Sequence, residues 1–361
     1  MGSENDTLNI PVAPAENEQK WCVSAISVST LTAPCGFAGH TASTPFLCTG
    51  RAPWFYDENV FQFWSKLGRK TMDSHELMRR TAVQLSLADR TFLVTGGGSG
   101  IGKGVATAVV AAGGDVMIIG RNADRLAAAA DEINATSPDG GGTARYEPAD
   151  VTNEDEVARA VDAATAWHGR LNGVVHSAGG SLTIGPITQV DSEGWRQTVD
   201  LNVNGTMYVL KHSAREMVRG GGGSFVGISS IASSNTHRWF ASYGPSKAAV
   251  DNLMMLAADE LGASWVRVNG IRPGLIRTDM VAPILDSPEI SADYAACTPL
   301  PRPGEVTDIA NASVFLLSDA AAWITGQVLN VDGGHCLRRG PDMSSMLEPV
   351  FGADGLRGVV S

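Results

Sequence analysis

Seven short apolar runs, at residues 91–95, 115–120, 144–147, 171–176, 224–229, 266–271 and 328–331, alternate with longer windows whose apolar residues recur at helical spacing. Val157, Val161, Ala164 and His168 share one face of such a window, as do Val250, Leu253, Met254, Ala257 and Leu261 of a later one. A strand followed by a helix cannot close a tight hairpin with the next strand. The helix carries the chain back over the sheet, and it does so right-handed. The pattern therefore predicts an α/β fold: a doubly wound, seven-stranded parallel sheet with helices on both faces, in a single domain over residues 87–339. The glycines at 220–223 fit a loop entering the fifth strand.

Residues 1–86 break this pattern. Pro11, Pro14, Pro34, Pro45 and Pro53 interrupt any long element, and residues 24–49 are rich in Ser, Thr, Ala and Gly without a period. A poorly ordered N-terminal extension is expected there, with Met72 a possible alternative start at the edge of the regular pattern. Residues 340–361 read as a C-terminal tail. Its Met343, Met346, Leu347, Val350, Phe351 and Leu356 have a helix-like spacing suited to covering a neighbouring subunit or the mouth of a site. A formal net charge of -11 argues against a nucleic-acid or anionic-membrane partner. No apolar run approaches the roughly 20 residues that span a bilayer. The five cysteines include no Cys-x-x-Cys pair, so neither a zinc ribbon nor a dense disulfide framework is expected, and no metal. A cytoplasmic setting follows from the same features.

Thr95-Gly96-Gly97-Gly98-Ser99-Gly100-Ile101-Gly102 follows the first run directly and opens a helical window. Glycines there let the backbone turn tightly and approach a pyrophosphate, whose charge then meets free N–H groups at a helix N-terminus. The turn with Ser99 and Ile101 is thus a candidate nucleotide cradle. Nineteen residues past Gly102, where an NAD site places an acid for the ribose diol, the chain reads Gly120-Arg121-Asn122. A carboxylate would repel a 2′-phosphate, whereas a guanidinium pairs with it. Arg121, with Arg125 one helical turn on, therefore favours NADP(H) over NAD(H).

Tyr243-Gly244-Pro245-Ser246-Lys247 sets a phenol and an ammonium four residues apart on one helical face, and Ser230 lies thirteen residues upstream at the end of the fifth run. With these landmarks in order, the chain resembles the short-chain dehydrogenase/reductase family over residues 87–334, of the type similar to NADP-dependent carbonyl and 3-oxoacyl reductases. The resemblance implies a Rossmann-like fold in which Gly96, Gly100 and Gly102 cradle the cofactor. It matches the family's adenine-binding aspartate to Asp150, with Val151, and its proton-relay asparagine to Asn202. Ser230, Tyr243 and Lys247 match the catalytic serine, tyrosine and lysine. Pro273-Gly274, with Ile276 and Thr278 beyond, matches the segment beside the nicotinamide. The family's Asn-Asn-Ala-Gly after the fourth strand is here His176-Ser177-Ala178-Gly179, which keeps Ala178 and Gly179 for the cofactor.

The residue types suit the chemistry. Reducing a ketone needs a hydride at carbon and a proton at oxygen. A phenol with an ordinary pKa near 10 needs a nearby positive charge to exchange that proton at neutral pH. Lys247 is expected to lower the phenol and bind the ribose, Ser230 to hold the substrate oxygen, and Asn202 to fix a relay water. His237 and Cys297, both placed in loops, are not expected to take part. Residues 277–303 read as a loop over the substrate, with Met280, Val281, Ile284, Leu285, Tyr294 and Leu300 suggesting a hydrophobic fatty-acyl or steroid-like carbonyl or alcohol. A silent nucleotide sensor and an enoyl thioester reductase are the rival readings; the intact quartet opposes the first and the tyrosine–lysine spacing the second. Met255 and Leu256 add apolar surface to a helix at about 240–261, so a homodimer or homotetramer is expected.

Overall fold

The computed structural model describes residues 85–359, and the extension expected over 1–86 lies almost wholly outside them. Seven strands, β1 (Thr91–Thr95), β2 (Asp115–Gly120), β3 (Ala144–Pro148), β4 (Gly173–His176), β5 (Gly223–Ile228), β6 (Val266–Pro273) and β7 (Val328–Val331), form one sheet. All pair in parallel, in the order β3-β2-β1-β4-β5-β6-β7. The order reverses between β1 and β4. The crevice at their carboxyl ends is where such a sheet takes its ligand.

Helices cover both faces because the central strands are apolar on both sides; every residue of β1 and β4 is buried. One face carries α1 (Gly100–Ala111), α2 (Ala123–Ala135) and, later in the chain, the helix Val306–Leu317. The other carries α3 (Glu154–His168), the helix Gly205–Arg219 and the helix Tyr243–Leu261. Chain order makes α4 Ser192–Val199, α5 Gly205–Arg219, α6 Tyr243–Leu261, α7 Ala282–Leu285, α8 Pro288–Cys297, α9 Val306–Leu317 and α10 Ser344–Leu356. Between α4 and α5 the chain widens into a π-helical turn at Asp200–Asn204.

A third, smaller core lies beyond the carboxyl ends of β5 and β6. Ile290 and Tyr294 of α8 pack there with Met343 and Leu347, and Trp239, Phe240, Leu275, Ile284 and Phe351 close around them. Two expectations are corrected by this lobe. Residues 277–303 are largely helical, through α7 and α8, not a loop. Cys297 ends α8 and is buried, where a loop position was expected. The tail's α10 packs on this lobe of its own chain through Leu347 and Phe351. A third correction concerns α3, whose buried stripe is Val157, Ala160, Val161 and Ala164. His168 is exposed, stacked on Trp167 and paired with Asp115 at 2.8 Å, because Gly169 ends the helix in the left-handed conformation.

Candidate active site

Gly96 (φ +66°) and Gly100 (φ +52°) turn the chain from β1 into α1 through backbone conformations that side chains resist. Gly102 is needed for closeness: a Cβ there would stand 2.3 Å from the Gly96 carbonyl oxygen. Ser99 makes no side-chain cap and the first turn of α1 has no acid, so the helix N–H groups are left for an anion. Among the described residues, these uncapped donors are the observation that makes a dinucleotide pyrophosphate fit. They open onto a cleft of about 420 Å³ that runs from the glycine turn past Arg121 and Asp150 to Tyr243 and Thr278.

The expected cofactor residues converge on this cleft. Gly96, Ser99, Gly100, Ile101 and Gly102 form its floor, Arg121 and Asn122 one end, and Asp150 with Val151 the wall beyond β3. Ala178, Gly179, Pro273, Gly274, Ile276 and Thr278 complete the opposite side. Asn122 caps α2 by accepting the Arg125 N–H at 2.8 Å, and Arg121 is exposed without an ion pair among the described residues. One Asp150 carboxylate oxygen is taken by the Thr152 backbone N–H and hydroxyl at 3.0 and 2.8 Å.

Ser230 follows β5, and Tyr243 and Lys247 occupy the first turn of α6. The Lys247 ammonium stands 5.8 Å from the centre of the Tyr243 ring and donates to the Ile228 carbonyl at 2.8 Å. Burial pushes Lys247 down to about 8, opposed by Asp251 one turn on, which Arg272 holds at 2.8 Å. Burial raises the Tyr243 phenol, and the Ser230 hydroxyl works against that shift through a hydrogen bond. Desolvation is the larger of these two influences on the phenol.

Asn202 sits in the π-helical turn, 1% exposed. Its amide donates to the Gly180 carbonyl at 2.8 Å and the Ser246 hydroxyl at 2.9 Å, and it accepts the Gly180 N–H at 2.9 Å. Ser246 in turn donates to the Tyr243 carbonyl at 2.8 Å. A Cβ on Gly179 would lie 2.9 Å from Asn202 Oδ1 and 3.0 Å from Lys247 Nζ, so only glycine passes between them. Sequence reasoning missed Ser246, which joins the Asn202 amide to the Tyr243 backbone carbonyl; its place beside Lys247 was the available signal.

Thr95, the residue before the glycine turn, is a second hub that was missed. Its hydroxyl oxygen accepts the Ser177 and Ala178 N–H groups at 3.0 and 2.9 Å and lies 3.0 Å from His176 Nδ1. With its oxygen so occupied, Thr95 donates its proton to His176, which therefore carries its own proton on Nε2. Burial drives His176 down to about 3, with Lys247 adding to the shift. Among the described residues no three His, Cys, Asp or Glu side chains gather to hold a metal, and no helix is long and apolar enough to cross a membrane.

The family described as enoyl-(acyl carrier protein) reductase matches residues 96–335. The structure of a short-chain type dehydrogenase/reductase from Mycobacterium ulcerans is 75% identical, with a TM-score of 0.75 over 76% of this chain and 100% of its own. The chain belongs to the short-chain dehydrogenase/reductase family. The 7alpha-hydroxysteroid dehydrogenase of Escherichia coli (strain K12) is 37% identical over 251 residues, 69% of this chain and 95% of that one. A 7 alpha-hydroxysteroid dehydrogenase structure complexed with NADH and 7-oxo glycochenodeoxycholic acid is 36% identical, with a TM-score of 0.66 over 70% of this chain and 97% of its own. As a short-chain dehydrogenase/reductase, the chain is an NAD(P)-dependent oxidoreductase that interconverts a carbonyl and an alcohol.

Proposed function

We propose that this chain is an NADP(H)-dependent reductase of a largely apolar ketone, and dehydrogenase of the matching secondary alcohol, with Tyr243 as its acid–base. The Ser230 hydroxyl bonded to the Tyr243 phenol, with the Lys247 ammonium 5.8 Å from the centre of that ring, carries the reading. The glycine turn, Asp150, Val151 and the 273–278 segment would hold the nucleotide, and Arg121 with Arg125 would pair with a 2′-phosphate. When bound, the nicotinamide supplies or accepts the hydride. Ser230 donates to the carbonyl oxygen and holds it beside Tyr243, whose hydroxyl gives up the proton. Lys247 orients the ribose and offsets the negative charge of the phenolate. Asn202 fixes the water through which the proton is replaced.

Tyr243→Phe tests this, since it removes one hydroxyl and keeps the ring. Turnover is expected to fall by about 10²–10⁴-fold with cofactor affinity nearly unchanged. Retained turnover would mean that another group moves the proton.

An apolar substrate agrees with the exposed Leu182, Ile184, Ile187 and Met280. Free thiols at Cys297 and Cys336 agree with a reducing, cytoplasmic setting. A homotetramer is supported by two separate apolar faces. One is a groove of about 510 Å³ between α5 and α6, lined by Leu210, Val218, Leu253 and Leu256. The other is the β7 edge, with Leu329, Leu337 and the 95% exposed Trp323. Residues 1–86 belong to the proposal as a dispensable extension. Enoyl thioester reduction has the description of the matching family in its favour; turnover of crotonyl thioester, with no ketone accepted, would select it.

A further inference from the structure

We propose that Asp251, tied to Arg272, is a positioning residue for proton transfer: from one helical turn below Lys247, the ion pair sets the charge balance of Tyr243 and Lys247. This rests on the reading that Tyr243 exchanges the proton. It adds to that reading a pair of charges that line no part of the cleft.

Of the buried residues of α6, only Lys247 and Asp251 are charged, and their spacing of four puts them on one face. Asp251 is 3% exposed, and its buried neighbours along that helix, Val250, Met254, Ala257 and Ala258, are apolar. One carboxylate oxygen accepts from Arg272 Nε at 2.8 Å, and the other has no partner among the described residues. A buried ion pair is a weak device for stability, since apolar side chains of similar volume often serve as well. The free oxygen leaves part of the carboxylate's charge to act along the helix toward Lys247. Arg272 lies near the end of β6, next to Pro273 and Gly274 of the cleft wall, so the pair also joins α6 to that wall.

The signs follow from what surrounds the ammonium. Among the described residues, Lys247 Nζ donates to the Ile228 carbonyl, and Asp251 is the anion that opposes its desolvation. The other titratable groups facing it are Tyr243 on its own helix and His176 of β4, which burial holds down to about 3 and therefore neutral. Beside Arg272 stands Cys336, whose thiol is pushed up to about 11 and is neutral too. A carboxylate in this place favours the ammonium and disfavours the phenolate, and a guanidinium does the reverse. Together Asp251 and Arg272 keep Lys247 charged while leaving the phenol able to ionise.

Asp251→Asn and Arg272→Gln, alone and together, test this in the full chain loaded with NADP+. The ultraviolet absorbance of the phenolate, taken as the difference from the same variant carrying Tyr243→Phe, follows the Tyr243 proton and needs no substrate. Asp251→Asn leaves Arg272 unmatched, so the apparent pKa is expected to fall by about one unit; Arg272→Gln leaves Asp251 unmatched and is expected to raise it by about as much. The double variant is expected to return most of the way. The pH profile of cyclohexanol oxidation by NADP+ is expected to move in the same directions. A merely structural tie predicts instead that both single variants lose stability or turnover alike, with no shift or with shifts of one sign. Either result would overturn the proposal, as would the failure of both single variants to fold; if one of them fails, the sign of the shift in the other decides. If Tyr243→Phe retains turnover, the acid–base reading fails, and if cyclohexanol is not oxidised, the choice of alcohol does. The phenolate titration decides on the charges in both cases: opposite shifts support the proposal, and their absence overturns it.

Discussion

Replacing Arg121 by alanine isolates the 2′-phosphate from every other part of the nucleotide. The guanidinium is exposed at the end of β2 and forms no ion pair among the described residues, so its loss should leave the sheet and α2 intact. A charge-assisted hydrogen bond contributes about 1.5–3 kcal/mol, and solvent at an exposed site moves that toward its lower half. Roughly 1.5–2 kcal/mol corresponds to a 10- to 30-fold weaker Kd. Arg125 limits the loss: its Cγ would lie 3.2 Å from a Cβ on Gly98, so a second guanidinium borders the same end of the cleft. The double variant Arg121→Ala, Arg125→Ala should therefore lose more than the single one. NADH, which has no phosphate there, should bind all three proteins within about twofold. Fluorescence titration with both nucleotides measures this directly, and kcat/KM with each cofactor should follow. A parallel loss for NADH and NADPH, or an unmodified protein that prefers NADH, would refute the reasoning.

Gly102→Ala should abolish nucleotide binding and lower the melting temperature, because its Cβ would meet backbone at 2.3 Å and no side-chain rotation relieves that; calorimetry with and without NADPH checks both. His176, held near 3 against an ordinary 6.5, should make the protein acid-sensitive. Between those values the unfolded chain binds a proton that the folded chain refuses, so stability is intact above about pH 6.5 and falls by up to about 1.4 kcal/mol per unit on acidification. Denaturant titrations of His176→Asn across that window should give a shallower slope, and an unchanged slope would remove His176 as the cause. A chain starting at Met72 should match the full chain in melting and turnover; loss of either would make the first segment structural. Light scattering that reports a clean monomer at micromolar concentration would exclude the tetramer.

The sheet was legible because its central strands are apolar on both sides and its strands are bounded by turn residues, and β1, β2 and β7 coincide with the runs seen in the sequence. The glycine turn and Tyr243, Lys247 and Ser230 were legible for a related reason: they are local, and each needs a residue type that few others replace. The lobe was misjudged although a signal existed. Ile290, Tyr294 and Cys297 are spaced four and three residues apart, as a buried helical stripe requires, but the polar residues between them and a start at Pro288 disguise it. His168 was over-read by extending a good pattern one turn past the point where Gly169 ends it. The Thr95–His176 bond and the His237–His335 stack had no local signal. Their partners come from distant parts of the chain, and only the folded lobe brings them together.

The lobe's apolar cluster is separate from the two clusters that sandwich the sheet. Changes at Ile284, Phe351 or Leu347 therefore alter the lobe without thinning the layers that keep β1 to β7 in register. The sheet can thus keep its packing while the lobe's packing varies. Such a division lets a lineage try new substrates at little risk to the scaffold. It also predicts that relatives diverge fastest between residues 284 and 303 and beyond residue 340, while the cleft lining changes slowly.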